Sequence, residues 1–216
     1  MPRNLKTYAG ASGDVTWDGK LCIHVGECGR AEGDLFQPGR DPWCQPDLAT
    51  GDDTADVVAR CPTGALVYRP LDPKNRETAA PVNTVVVANN GPLYLRGELR
   101  IDGAADDMPG VALRAALCRC GQSTNKPFCD NSHEAAQFVD RGAVGVRGTG
   151  DTDEAGPLEV KRVPNGPLLL NGHFTIVTAS GRTAWRGTKA ALCRCGHSKN
   201  KPFCDGGHKA GGFVAA

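Results

Sequence analysis

Aromatic residues are scarce in this chain: Trp, Tyr and Phe make up 6% of 216 residues, while Gly numbers 28. That is little core material for small modules, which usually need a staple of disulfides or metal. Neither sign of charge dominates. The formal net charge of +1 excludes the strong field expected of a nucleic-acid or membrane-surface binder. No run of about 18 apolar residues occurs. The first ten residues, MPRNLKTYAG, contain no apolar stretch, so neither a membrane span nor a secretory leader is expected. Also missing are a Gly-rich phosphate loop, a nucleophile elbow and a zinc-protease helix. The expectation is therefore a cytoplasmic protein that is not an enzyme.

Cysteine is what the chain has in quantity, with 10 residues. In a leaderless chain thiols stay reduced, and clustered cysteines point to metal rather than to a disulfide framework. Six of them fall into two near-identical sets, 75 residues apart. Cys118-Arg119-Cys120, Cys129 and His133 form the first; Cys193-Arg194-Cys195, Cys204 and His208 form the second. Both read C-x-C-x8-C-x3-H. Three thiolates and an imidazole suit a thiophilic centre.

The repeat is longer than these ligands. Asn90-Gly91-Pro92-Leu93 matches Asn165-Gly166-Pro167-Leu168, and Phe138-Val139 matches Phe213-Val214. Each copy is thus one structural unit used twice. Within each, a start of helix after the third cysteine places His133 or His208 in its first turn, on the same face as that cysteine. Asp130 and Asp205 sit where an N-cap would be. Gly121 and Gly196 permit the bend that closes a C-x-C pair around a metal, and Pro127 and Pro202 stiffen the return. Arg119, Arg194, Lys126 and Lys201 recur beside the ligands, either offsetting the charge of the centre or as solvated surface charge. His173 and His197 have no counterpart histidine and read as surface or packing residues. On spacing alone, zinc, mononuclear iron and a [2Fe-2S] cluster all remain open.

The pattern predicts mostly strands. Asp14–Trp17, Ala65–Tyr68, Val82–Val87 and Leu158–Val163 read as strands, Leu93–Ile101 as a strand or hairpin, and Ala55–Arg60 as a short helix capped by Asp53 or Thr54. Residues 70–81 are polar and Pro-containing, the expected linker, and the Gly- and Asp-rich stretch 142–156 joins the two copies.

Both copies resemble the CDGSH iron-sulfur family, whose pattern is C-x-C-x2-S/T-x3-P-x-C-D-x2-H. Its Ser/Thr falls on Ser123 and Ser198, its proline on Pro127 and Pro202, and its aspartate on Asp130 and Asp205. Asn131-Ser132 and Gly206-Gly207 replace the family's Gly-Ser, and Asn tolerates the left-handed backbone that this turn needs. The resemblance implies a [2Fe-2S] cluster on Cys118, Cys120, Cys129 and His133 and another on Cys193, Cys195, Cys204 and His208. A single imidazole ligand also implies that protons loosen both clusters below neutral pH.

The remaining cysteines lie near the start. Cys22, His24, Gly26, Cys28, Pro42-Trp43 and Cys61 to Leu66 resemble the divergent mono-cluster ferredoxin-like domains. That likeness implies one further cluster on Cys22, Cys28 and Cys61, [4Fe-4S] if Cys44 also reaches it and [3Fe-4S] if not. Cys44 read as a buried, inert residue is the other option, and His24 is expected as a neighbour rather than a ligand. Taken together, the resemblances imply an α+β, β-rich chain. A ferredoxin-like domain over 1–70 precedes two fused modules, 82–140 and 157–216, arranged as a pseudo-dimer within a monomer. The implied role is electron transfer, with cluster donation in addition, between redox donor and acceptor proteins that the sequence does not identify. A zinc-stapled interaction module and a redox- or pH-sensing regulator are the alternatives.

Overall fold

A computed structural model describes residues 5–148, 150 and 155–215. Part of the 142–156 connector (149 and 151–154), the first four residues and Ala216 lie outside the described residues. The chain divides into two compact units, one up to Thr78 and one from Ala79. The fold is α+β and rich in strands.

The first unit is a three-stranded antiparallel sheet in the order β1 (Leu5–Tyr8), β2 (Gly13–Asp18), β3 (Leu66–Pro70). One helix, α1 (Gly51–Arg60), precedes β3. It begins four residues before the expected Ala55. The reason is its cap: Thr50, with extended backbone, accepts from the Asp53 N–H at 3.1 Å. Asp52 and Asp53 then lie in the first turn, where the helix dipole favours negative charge. Val57 and Val58 are buried, as the pattern predicts. The stretch read as a linker contributes Pro70 to β3 and a single 3-10 turn, Pro73–Asn75, before the unit ends.

The second unit is a seven-stranded sheet. From the first copy come β4 (Thr84–Val87), β5 (Leu93–Arg96), β6 (Leu99–Ile101) and β7 (Arg114–Leu117). From the second come β8 (Leu158–Arg162), β9 (Leu168–Val177) and β10 (Thr183–Leu192). The order is β6-β8-β9-β4-β5-β7, with β10 also on β9. Each copy's leading strand pairs, in parallel, with the other copy. Thr84 and Val85 of β4 lie opposite Thr175 and Ile176 of β9, and Glu159 and Val160 of β8 lie opposite Arg100 and Ile101 of β6. Adding 75 to one set of positions returns the other.

The leading hairpins of the two copies differ. Leu93–Ile101 is two strands, whereas its counterpart β9 runs unbroken for 10 residues. The break is at Gly97, whose φ is +146°. There the Asn83 carboxamide, 3% exposed, accepts from the Glu98 N–H and donates to the carbonyls of Gly156 and His173. The core between these strands is apolar, with Val85, Leu95, Leu117, Val160, Leu170, Phe174 and Ile176 each at most 2% exposed.

A Cβ at Gly97 would stand 2.0 Å from Asn83 Oδ1 and 2.9 Å from its Cα, while one at Gly181 (φ +84°) would meet nothing within 4 Å. Gly181→Ala should therefore cost only backbone strain, about 1 kcal/mol. Gly97→Ala should cost about 3 kcal/mol or more, because a buried hydrogen-bond hub must also shift. Denaturant unfolding of the two variants checks this, and equal costs would contradict it.

Candidate metal centres

Each C-x-C pair follows directly on a strand, β7 or β10, and is tied to the returning segment. Cys118 N–H donates to Pro127 O and Cys193 N–H to Pro202 O, both at 2.8 Å. Cys129 N–H donates to Ala116 O at 2.9 Å and Cys204 N–H to Ala191 O at 2.8 Å. The third cysteine thereby lies beside the strand that delivers the first two. Ser123 and Ser198, both 2% exposed, lock the loop between: each hydroxyl donates to the carbonyl of Phe128 or Phe203 at 2.6 Å.

The side chains expected as ligands gather as pairs. Cys118 Sγ and Cys120 Sγ are 3.8 Å apart, and Cys129 Sγ and His133 Nδ1 are 3.4 Å apart. In the second copy the same separations are 3.5 Å and 3.4 Å. Two ligands on one tetrahedral metal with bonds near 2.3 Å stand roughly 3.7 Å apart, so each pair is spaced to share a metal. Among the described residues, no three His, Cys, Asp or Glu side chains converge as a site for one ion. Backbone N–H groups point at the sulfurs: Gln122 to Cys120, Asn131 to Cys129, His197 to Cys195 and Gly206 to Cys204, at 3.4–3.5 Å. Such donors favour thiolate over thiol. Burial opposes them, pushing Cys129 and Cys195 up to about 11. A buried cage of this kind gains from a bound cation that holds its sulfurs deprotonated. Burial lowers the His133 pKa, which keeps the imidazole neutral and fit to ligate. These residues fit an iron-sulfur group.

The helices are short, α2 (Ser132–Ala135) and α3 (Gly207–Ala210). Their caps are Asn131 (φ +71°) and Gly206 (φ +85°), one residue after the expected aspartates. Asp130 and Asp205 instead accept from Ser132 N–H and Gly207 N–H, and reach back to Thr124 N–H and Lys199 N–H. They brace the turn rather than cap it. The left-handed cap is why Asn or Gly stands there.

Arg119 and Arg194 overturn the solvated reading, since each is 1% exposed. Arg119 Nε donates to Gly91 O at 2.9 Å, its other nitrogens reach Ala88 O and the Asp140 carboxylate, and its guanidinium lies over the Phe138 ring. Arg194 donates to Gly166 O and Val163 O and lies over Phe213. Lys126 and Lys201 are half-buried, with Nζ donating to Ser123 O and Ser198 O. The signal for the arginines was in the repeat: Phe138 and Phe213 recur at the same offset.

Gly121 and Gly196 have φ +83°, but they do more than bend. Cys120 and Cys195 form an antiparallel bridge between the copies. A Cβ on Gly121 would stand 2.5 Å from Cys195 O, and one on Gly196 would stand 2.7 Å from Cys120 O. The two ligand loops therefore meet backbone to backbone. His197 is exposed at the surface, and His173, half-buried, offers its carbonyl to Asn83.

In the first unit, Cys22, Cys28 and Cys61 line one cavity of about 460 Å³ walled by Trp17, Phe36 and Trp43. Burial, then the neighbouring Cys22 and Cys61, raises the Cys28 pKa. Cys44 lines a different cavity, with Tyr8 and Trp43, and burial pushes its thiol up to about 12. His24 has φ +53° and places Nδ1 3.8 Å from Cys22 Sγ, with its side chain at the surface.

Paired cysteine and histidine side chains, braced by N–H donors, are the arrangement an iron-sulfur protein needs. Residues 90–134 and 165–209 each match the family model described as "Iron-binding zinc finger CDGSH type". Residues 8–70 match "Divergent 4Fe-4S mono-cluster". The uncharacterized protein YjdI of Escherichia coli K12 is 39% identical over 64 residues, covering 30% of this chain and 84% of YjdI. The YjdI of strain O157:H7 matches to the same extent. The chain belongs to the tandem CDGSH iron-sulfur proteins, with an N-terminal divergent mono-cluster domain.

Asp130 titrates at about 2: burial raises it, but hydrogen bonds from Ser132 and Thr124 outweigh that. Its folded value lies below the usual 3.9 or so, so its stabilisation is present above about pH 4 and is lost as pH falls toward 2. Asp130→Asn should be modestly less stable than the parent at neutral pH, since solvent screens a part-exposed carboxylate. That gap should close between about pH 4 and pH 2. Unfolding measured across this range checks the sign; a gap that widens in acid would contradict it.

Proposed function

We propose that this protein is a soluble electron carrier holding a [2Fe-2S] cluster in each CDGSH module and one cluster in the N-terminal unit, with cluster donation as a further capacity. The observation that carries the reading is the arrangement of each cage as two ligand pairs. A two-iron cluster needs two protein ligands per iron; a structural zinc needs four around one ion. With every terminal position filled from the protein, no position is left for a substrate, which favours a carrier over an enzyme. When bound, the cluster supplies a one-electron couple, and one imidazole among three thiolates reduces its negative charge and favours a higher potential.

The chain's own contribution is to exclude water and to fix the ligands. Buried Arg194 supplies positive charge near Cys118 and Cys195, whereas that of Arg119 is paired with Asp140, and the N–H donors to the sulfurs stabilise extra negative charge on reduction. The reciprocal pairing of β4 with β9 and β8 with β6 supports a pseudo-dimer built within a monomer. For the N-terminal cluster, the shared cavity supports Cys22, Cys28 and Cys61 as ligands, with Cys44 as a packing residue. No helix among the described residues is long and apolar enough to cross a membrane, in keeping with a cytoplasmic carrier between redox proteins.

Iron, zinc and acid-labile sulfide analysis of anaerobically purified protein, with EPR after reduction, tests this reading. The expected result is iron with matching sulfide, reducible signals from both cluster types, and no change in the N-terminal signal in Cys44→Ala. Stoichiometric zinc without sulfide would replace the carrier with a zinc-stapled interaction module.

A further inference from the structure

The two CDGSH cages have the same ligands but different rims. Around the first stand Gln122, Thr124, Lys126, Asp130 and Glu134; at the equivalent positions of the second stand His197, Lys199, Lys201, Asp205 and Lys209. One lysine against two carboxylates leaves the first rim at −1, and three lysines against one carboxylate leave the second at +2. His197, Lys199 and Lys209 are exposed. Beside the second cage a hollow of about 560 Å³ is lined by Arg141, His197, Lys199 and Lys201 together with Asp140. The Asp140 charge is already committed to Arg119, so the hollow is cationic.

The second cage is also the more open. Cys129 and Phe128 are buried, whereas Cys204 and Phe203 are half-exposed. In the first copy the hydroxyls of Thr124 and Ser132 both bond Asp130 and tighten the ligand turn. Lys199 and Gly207 stand in their places and carry no hydroxyl. Charge and access therefore favour the same module.

We propose that the second CDGSH module is the port at which this protein exchanges electrons, and that its redox partner presents an acidic protein surface to the Lys199–Lys201–Lys209 rim. The first module, less exposed and ringed by negative charge, is the insulated site. This rests on the electron-carrier reading above. A lysine-lined rim steers an acidic partner by long-range attraction, which salt screens. Three lysines beside one hollow make a compact protein-docking face rather than the extended phosphate track that nucleic acid needs.

The test gives the rim the residues of the other copy. Lys199→Thr with Lys209→Glu installs side chains that the same fold carries at the first cage. The full-length, dithionite-reduced protein is mixed with ferricyanide: one electron leaves a reduced site, ferrocyanide and oxidised protein form, and no bond breaks. The double variant should react about tenfold more slowly than the parent at low ionic strength, with a flatter salt dependence. With the cationic oxidant hexaamminecobalt(III) the order should reverse. A short polyglutamate peptide should slow ferricyanide oxidation of the parent more than that of the variant. Equal rates and equal salt dependence in parent and variant, at matched iron content, would overturn the port while leaving the carrier reading intact. Stronger competition by a charge-matched oligonucleotide would overturn the protein partner. A chain with no reducible iron would remove the carrier and the port together.

Discussion

Everything in the second unit depends on a backbone-to-backbone contact that only glycine allows. Cys120 and Cys195 bridge across the two copies, and neither Gly121 nor Gly196 has room for a Cβ against the facing carbonyl. The C-x-C segment cannot bend by itself into a metal-gripping pair, because alternate side chains of an extended chain diverge. The left-handed glycine turns it, and the facing loop holds it there. Each cage is thus half supported by the other copy. The exchange of β4 and β8 provides the same support at the level of the sheet. A duplicated sequence has become one core, in which neither copy's leading strand pairs only within its own repeat.

Burial of charge follows from that closeness. Arginines placed between ligand cysteines cannot reach solvent, so the fold satisfies them with the carbonyls of the Asn-Gly-Pro turns and with aromatic faces. A buried guanidinium left without partners would cost several kcal/mol. Here its partners are backbone atoms of the turns that open each repeat, so the repeat's beginning is anchored directly at its metal centre. Apart from the strand break at Gly97, the differences between copies fall on the rim, in the turn after Asp130 and Asp205, and in the stretch from Asp102 to Leu113.

The two Cys3His sets were legible in the sequence because their spacing repeats, and because Cys and His have few other reasons to recur in register. Strand β4 was legible from its β-branched run, β2 from its alternation, and β8 as the counterpart of β4 in the second copy. What the residues did not reveal involves partners distant in the chain. Gly97 interrupts a strand because of Asn83, and Gly121 is glycine because of Cys195; neither neighbour is marked by local pattern. The helix α1 was read too short, since Asp53 and Thr54 are themselves capping residue types, whereas the cap is Thr50. Arg119 and Arg194 looked ambiguous because burial of a charge is invisible until its hydrogen-bond acceptors are placed. Cys44 is ambiguous as well: it lines a cavity with Tyr8 and Trp43, and Trp43 also walls the one lined by Cys22, Cys28 and Cys61.

The central claim is that each CDGSH cage is two ligand pairs, one for each of two irons, rather than four ligands around a single ion. Mössbauer spectroscopy of protein grown on iron-57 addresses it most directly, because differently ligated irons in one cluster give separate signals. The account predicts, beyond the N-terminal contribution, two iron environments in equal amount: one with two thiolate ligands and one with a thiolate and an imidazole. A single iron environment, or mononuclear iron, in these modules would contradict it.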